Sequence, residues 1–434
     1  MSASTDVPKE SFRLSQLIYD TRYRSLTIQV IALALLVGAL WWLINNTVQN
    51  LETLGKDFDF GFLTQPAGYD INQRLIEYTS QSTHGRAAMV GILNTILVAI
   101  LGCALATVLG VIAGVLRLSK NWLVNNLMAV YVEGFRNVPL LLWIILIFAV
   151  MTESMPQPRD FRGDEPEASM FVNDSVAVTN RGVYIPRIGF ENSIGSAGAT
   201  WRSENPAAIE AGEDGTPPPS SVWDWLIVIG VLGASIYGAR WNTRRADAIQ
   251  EATGERPTTW YINLGIIVVP TLLVMLALGA TIAQPYLRGF NFTEGIHLRN
   301  SLIALWLALS LYTGAFIAEI VRAGILAVSK GQTEAANALG LRPGRTMSLV
   351  ILPQALRVII PPLISQYLNL TKNSSLAIAV GYMDVRSTLG GITINQTGRE
   401  LEGMLLLGLF YLVLSLVISA VMNVYNNAVK LKER

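Results

Sequence analysis

The sequence predicts an all-α integral membrane protein with about eight transmembrane helices, on three observations. Of 434 residues, 51% are hydrophobic and only 15% charged, where soluble domains carry about 25% charged residues. Apolar runs long enough to cross a bilayer, which takes roughly 20 helical residues, recur along the chain. Basic residues gather in alternate loops, as the positive-inside rule requires of a multi-pass protein.

The first run, Leu26 to Ile44, is long and no small-residue cleavage site closes it, so it reads as a span and not a removable leader. Asn45 to Val90 is mixed polar and apolar, with room for a short amphipathic helix. Ile92 to Val115 is the second span, and Val138 to Met151, with a helical lead-in from Leu127, the third. Thr152 to Ser221 is rich in Gly, Pro, Ser and acidic residues, and reads as a loosely ordered excursion with a hairpin around Gly182 to Phe190. Val222 to Gly238 is a shorter span carrying Asp224 near its start. Tyr261 to Ala283, Asn300 to Ile320 and Met404 to Val424 are plain spans. The least typical, Val358 to Val380, is interrupted by Asn369, Lys372, Asn373, Ser374 and Ser375. Its Pro361 and Pro362 lie in its first turns, where proline can start or kink a helix. Trp41 and Trp42, like Trp223 and Trp225, fit interfacial belts.

Alternating eight spans from a cytoplasmic N-terminus places 18 of the 32 basic residues inside, among them Arg117, Lys120, Arg244, Arg245, Lys330, Arg342 and Arg345. The Thr152 to Ser221 excursion, with 11 acidic and 5 basic residues, falls outside. Both termini are then cytoplasmic. One cysteine and two histidines exclude a disulfide framework and make a metal centre improbable. No catalytic motif and no G-x-x-x-x-G-K-[ST] phosphate loop is present, so an ATP site of that form is not supplied by this chain. Nucleic acid is not expected as a partner; membrane lipid is.

The stretch EAANALGLRPGRTMSLVILP, Glu334 to Pro353, is polar and lies between spans, on the cytoplasmic side in this arrangement. Good helix formers run to Leu339, Gly340 permits a left-handed turn at no steric cost, and a second helical piece ends at Leu352-Pro353. Two short helices around a glycine turn make a stiff lever with a small-residue face. An ordinary amphipathic surface helix with a C-terminal glycine is the plainer alternative.

The spacing resembles the EAA loop of ABC importer permeases: Glu334, Ala335 and Ala336, then Gly340, Val350, Leu352 and Pro353. Two blocks extend the likeness to polar amino acid importers. The first, Gly91 to Val150, contains Asn94-Thr95 and YVEGFRNVPLL (Tyr131 to Leu141). The second contains AEIVRAGI (Ala318 to Ile325) and LTKNSSLA (Leu370 to Ala377). The extra span at the start, the long gap between blocks and MPQPR (Met155 to Arg159) resemble the long permeases of broad-specificity L-amino acid systems, and of glutamate/glutamine/aspartate/asparagine systems, of alphaproteobacteria.

That resemblance implies a type I ABC importer core split by an insertion. It divides the chain into 1–90 (tail, first helix and periplasmic segment), 91–151 (first half of the core), 152–299 (insertion with two extra helices) and 300–434 (second half, with the coupling loop). It implies a bacterial inner-membrane permease subunit for L-amino acids, of broad polar range or Glu/Gln/Asp/Asn, that is not an enzyme and holds no cofactor. ATP and magnesium would be bound by two copies of a partner ATPase. A second, homologous permease, forming a heterodimer, and a periplasmic amino acid-binding protein complete the implied assembly.

Within the spans, a lysine is costly at membrane depth and usually faces protein or water. Lys372 suits a substrate carboxylate, with Asn369, Asn373, Ser374 and Ser375 lining the path; alternatively it pairs with Glu133 or Glu319, and the serines let helices pack. Asn94 and Thr95 either line the same path or bond helix to helix. Glu133 with Arg136, and Glu319 with Arg322, read as i, i+3 structural pairs. Two rival functions remain at this point: an ion-coupled secondary transporter, for which Lys372 is the one strong ionisable candidate, and a non-transporting scaffold built on the acidic excursion.

Overall fold

The computed structural model describes residues 21–53, 55, 58–163, 166–194 and 221–429. The remaining basic tails and most of the Pro217 to Ser221 run lie outside the described residues. Seven described helices are long and apolar enough to cross a membrane, or eight if one sharply bent pair counts as a span.

Helix α1 (Thr21–Thr53) is exposed all along its apolar length, with Trp41 and Trp42 uncovered at one end. Among the described residues no amphipathic helix follows it: the connection holds one 3-10 turn, Gly61–Thr64, and then folds onto the core through Ala67, Ile71 and Tyr78. Helix α2 starts at His84, before the expected Ile92, because Thr83 caps it by accepting from the Arg86 amide, and runs to Leu116.

The expected third span is two helices, α3 (Trp122–Asn137) and α4 (Leu140–Ser154), bent by 107°. Pro139 is the cause. A residue before proline is driven out of the helical region, and Val138 sits at φ −105°, ψ 134°. The third span is therefore a broken element; neither helix alone reaches the usual 20 residues.

Beyond α4, strands β1 (Ala177–Thr179), β2 (Gly182–Ile185) and β3 (Arg187–Phe190) replace the expected hairpin. The strands flanking Pro186 do not pair with each other. β2 pairs with β1 and with β7 (Ile296–Arg299), while β3 pairs with β4 (Ala280–Ala283). β5 (Tyr286–Arg288) and β6 (Asn291–Thr293) form a separate ribbon. The described part of the excursion is thus an ordered sheet pinned to β7, which runs directly into the core.

The two added spans are α5 (Val222–Thr253) and α6 (Trp260–Ala277). Asp224 belongs to a capping box with Ser221 and also accepts from Ser193 Oγ and the Ile194 amide, which accounts for an acid at a span's start. Helix α6 stops six residues before the expected Ala283. Gly279 turns left-handed at φ +64°, and Ala280 enters β4. An amide clamp joins the pair: Asn242 Nδ2 donates to Asn263 Oδ1 at 2.8 Å, and Asn263 Nδ2 to Thr243 Oγ1 at 3.0 Å.

The core is α2 against α7 (Asn300–Leu326). Small residues let the backbones approach. A β-carbon on Gly110 would stand 2.5 Å from Ile317 Cβ, and one on Gly114 2.6 Å from the Ala318 carbonyl oxygen. Leu305, Leu309, Ile317 and Leu370 are fully buried in this cluster. The chain then passes through α8 (Lys330–Ala338) and α9 (Pro343–Thr346) into α10 (Leu352–Asn373), a 3-10 stretch (Ser374–Val380), a short irregular helical region and α11 (Glu400–Val429).

Candidate functional site

The elbow between α7 and α10 forms as the glycine turn predicts. Gly340 adopts φ +75°. Its amide donates to the Asn337 carbonyl at 2.9 Å, and the Leu341 amide reaches back to Ala336 at 3.1 Å. Those two bonds are a Schellman end. Pro343, at the first turn of α9, restarts the helix where its missing N–H costs nothing. Ala336 is buried; Glu334, Ala335, Ala338 and Gly340 are exposed, as is Leu339 at 82%. A leucine so uncovered at the tip of a polar turn is a hydrophobic contact without an occupant on this chain.

Pro353 does not end the lever. Met347–Ile351 is a π-helical turn, with the Leu352 amide donating to Met347. Proline's ring would strike the carbonyl four residues back in an α-helix, and the widened turn accommodates it. The helical path from Pro343 to Val380 is continuous. Pro361 and Pro362 therefore sit in the interior of α10 and not in its first turns. The second half of the elbow, from Pro343, thus runs into the membrane helix without a break.

Along α10 the exposed positions Val358, Pro362, Ser365, Asn369 and Lys372 recur every three or four residues. They form one face that this chain leaves uncovered. The opposite face, with Ala355, Ile359 and Leu370, is buried in the core. Lys372 has no ion pair among the described residues: Glu133 faces Arg136 at 3.9 Å, and Glu319 holds Arg322 at 2.6 Å and also Arg117. Neither carboxylate suggested as its partner is therefore engaged with it. Asn373 and Ser375 are half-buried, and Ser374 is buried with its hydroxyl donating to the Thr371 carbonyl at 2.7 Å.

Asn94 and Thr95 are brought to a different place. Both are fully buried. Asn94 Nδ2 donates to the carbonyls of Gln73 (2.7 Å) and Met383 (2.9 Å), and Thr95 Oγ1 accepts from the Val385 amide at 3.1 Å. They lash α2 to the segment after α10. Beside them the Asp384 side chain accepts from the Ser387 amide and hydroxyl, and burial pushes its carboxyl up to about 6.

Sequence reasoning did not find three features. Arg117 completes a cluster with Glu319 and Arg322 across 202 positions of sequence. Asp384 was one polar residue in a loop. A cavity of about 220 Å³ at the excursion end of the bundle draws its lining from five separate segments. No periodicity signals such convergence.

Residues 252–431 match the family described as "binding-protein-dependent transport system inner membrane component". Over the full length of both chains, the protein is 57% identical to the glutamate/glutamine/aspartate/asparagine transport system permease protein BztB of Rhodobacter capsulatus. It is 42% identical to the general L-amino acid transport system permease protein AapQ of Rhizobium johnstonii, over 98% of this chain and 96% of that one. A glutamate/aspartate import permease protein, GltK of Escherichia coli O157:H7, is 33% identical over 42% of this chain and 81% of its own length.

Proposed function

Because the chain belongs to the inner-membrane permeases of amino-acid ABC importers, we propose that it carries L-amino acids of the polar range, glutamate, glutamine, aspartate and asparagine foremost, inward across the bacterial inner membrane. It is a permease subunit and not an enzyme; nucleotide hydrolysis belongs to a partner ATPase. The observation that carries the substrate range is the 57% identity, without truncation on either side, to a permease of that range.

The elbow supports the coupling role of Glu334, Ala335, Ala336, Gly340, Leu352 and Pro353. Two ATPase copies, closing on ATP and magnesium, would press on such an elbow in each of two permeases. The uncovered Glu334 face and Leu339 tip suit a groove on the ATPase. The Schellman end at Gly340 ties that contact face to Pro343, and helical continuity from there through the π-turn would carry the push to the polar stripe of α10. Arg117, Arg322, Arg342 and Arg345 share the elbow end, which favours placing that end and both termini in the cytoplasm.

The stripe Ser365, Asn369, Lys372 cannot face lipid cheaply. It favours cover by a second, homologous permease, with the substrate path between the two subunits. Asn373 and Ser375 would border that path, whereas the bonding of Asn94, Thr95 and Ser374 fits a supporting role. A periplasmic binding protein would deliver substrate at the excursion end. The partition 1–90, 91–151, 152–299 and 300–434 serves this mechanism, with the first core block drawn back to His84.

Reconstitution with the second permease, the ATPase and the binding protein tests the reading: uptake of labelled L-glutamate and L-glutamine is expected only with ATP. Uptake that persists without the ATPase and collapses with an ionophore would establish the ion-coupled rival. Assembly without uptake would establish the scaffold.

A further inference from the structure

The added hairpin is fastened at one end. Near the excursion, Phe190 of β3 packs with Val228 of α5 and with Leu278 just past α6, and its ring meets Trp225 edge-on. At the opposite end α5 and α6 hold each other through the Asn242–Asn263–Thr243 clamp. Among the described residues no buried hydrophobic cluster joins that end to the core. What it carries is charge and aromatic surface. Arg240, Arg244 and Arg245 are exposed, and none of the three has an ion pair among the described residues. Asp247, the acid nearest to them along α5, is taken by Arg256 at 2.8 Å. Glu251 stands about 10 Å beyond Arg244 along the axis. Tyr237 and Trp241 are exposed as well. At helical pitch these two aromatics and the three arginines share one side of α5, opposite the buried Ser235, Ala239 and Ala246.

Depth along the helix says what meets this side. Asp224 caps α5 at the excursion end, and Arg244 follows about 30 Å further along. That is the thickness of a bilayer's hydrocarbon core. The guanidinium groups therefore arrive at the opposite headgroup layer, with Tyr237 and Trp241 at the depth where aromatic belts sit. Arginine forks onto phosphate oxygens, and each basic side chain at an anionic leaflet strengthens the attraction roughly fivefold. Aromatic surface below and positive charge above match the order of acyl chain and headgroup in a phospholipid; a free phosphate ion would leave Tyr237 and Trp241 without a role. We propose that Arg240, Arg244 and Arg245 form a headgroup site for an anionic phospholipid of the cytoplasmic leaflet, and that this lipid fastens the loose end of the hairpin. The choice of leaflet rests on the importer reading above; the lipid chemistry does not.

The complete permease–ATPase assembly, stripped of lipid in detergent, is titrated with dioleoylphosphatidylglycerol or dioleoylphosphatidylcholine and read by native mass spectrometry. One tight site per copy of this chain is expected for the anionic lipid, roughly tenfold or more above the zwitterionic one. Replacing all three residues together, Arg240→Gln, Arg244→Gln and Arg245→Gln, should empty that site. The matching lysine replacements should keep most of it, because the charge on the phosphate persists. Hydrogen exchange of the wild-type assembly in nanodiscs gives a readout that needs no variant to fold: amides from Arg244 to Thr253 should exchange more slowly in phosphatidylglycerol than in phosphatidylcholine. Equal affinity for the two lipids, a tight site unmoved by the glutamine replacements, or exchange indifferent to lipid charge would overturn the proposal. A glutamine variant that keeps its lipid but loses the second permease would also overturn it, by making the face a protein interface. Thr258→Cys labelled by an impermeant maleimide from outside intact cells would bring down the orientation given with the importer reading, and the leaflet with it, while the lipid measurements would stand.

Discussion

At the α2–α7 seam, a β-carbon added to Gly110 would stand 2.5 Å from Ile317 Cβ; at the elbow, one added to Gly340 would meet no atom within 4 Å. Both positions exclude other residues, for opposite reasons. The seam needs absence of volume, because two helix backbones pack at a distance no side chain permits. The elbow needs backbone freedom, because φ +75° is disfavoured for any residue with a β-carbon. The seam is closed on all sides and fixes the bundle. The elbow is open on most sides and gains its contacts only when a partner arrives.

Four replacements sharpen or break that contrast. Gly110→Leu is expected to have the largest effect. Overpacking already costs about 1–3 kcal/mol for added methylenes, and a whole side chain here drives the helices apart. No monodisperse permease should survive detergent extraction, and normal yield would contradict a volume-limited seam. Gly340→Val should leave the protein in the membrane and remove ATP-driven uptake, since a β-branched residue resists positive φ. Gly340→Asn should restore most uptake, because asparagine tolerates the left-handed region. Equal failure of both would show that the elbow needs space and not conformation. Lys372→Met should raise the KM for L-glutamate roughly tenfold, in line with a charge-assisted hydrogen bond. An unchanged KM for every amino acid would remove this side chain from the path.

The smallest effect concerns Asp384, in the segment that Asn94 and Thr95 of the seam brace. Its carboxyl holds a proton up to about pH 6, while in the unfolded chain it would lose that proton near pH ~4. Between those values the folded chain binds more protons, so this group's contribution to stability falls as pH rises. Asp384→Asn should flatten that decline, read as the melting temperature between pH 4.5 and 6.5. An unchanged slope would mean another group governs it.

The membrane class and the position of most spans were legible because about twenty consecutive apolar residues match the thickness of a bilayer and little else. Gly340 was legible because so few residue types adopt its left-handed turn, glycine foremost. The break at Pro139 was visible in principle, since proline biases Val138 toward extended backbone, but an apolar run on both sides reads as one span. The hairpin expected around Gly182 to Phe190 lies earlier, between β1 and β2, and its would-be second strand β3 pairs instead with β4, while β2 takes a further partner in β7, more than a hundred residues away. Asp224 looked like a flaw in a span and is its cap. The continuity of α10 through Pro353 could not be read locally, because the π-turn that permits it has no distinctive composition.

What the sequence alone determined was everything that depends on neighbours in the chain: the length of apolar runs, the charge of the loops, the glycine turn and the spacing of the elbow. What the tertiary structure decided was which distant polar groups meet. It engaged Glu319 with Arg117, left Lys372 on an open face, set Asn94 and Thr95 to bracing, and gathered residues of five separate segments around one cavity. Local rules act through bonds and helical pitch and leave a trace in order. Contacts such as that between Asn300 and Asn180 exist only once packing has closed the intervening chain.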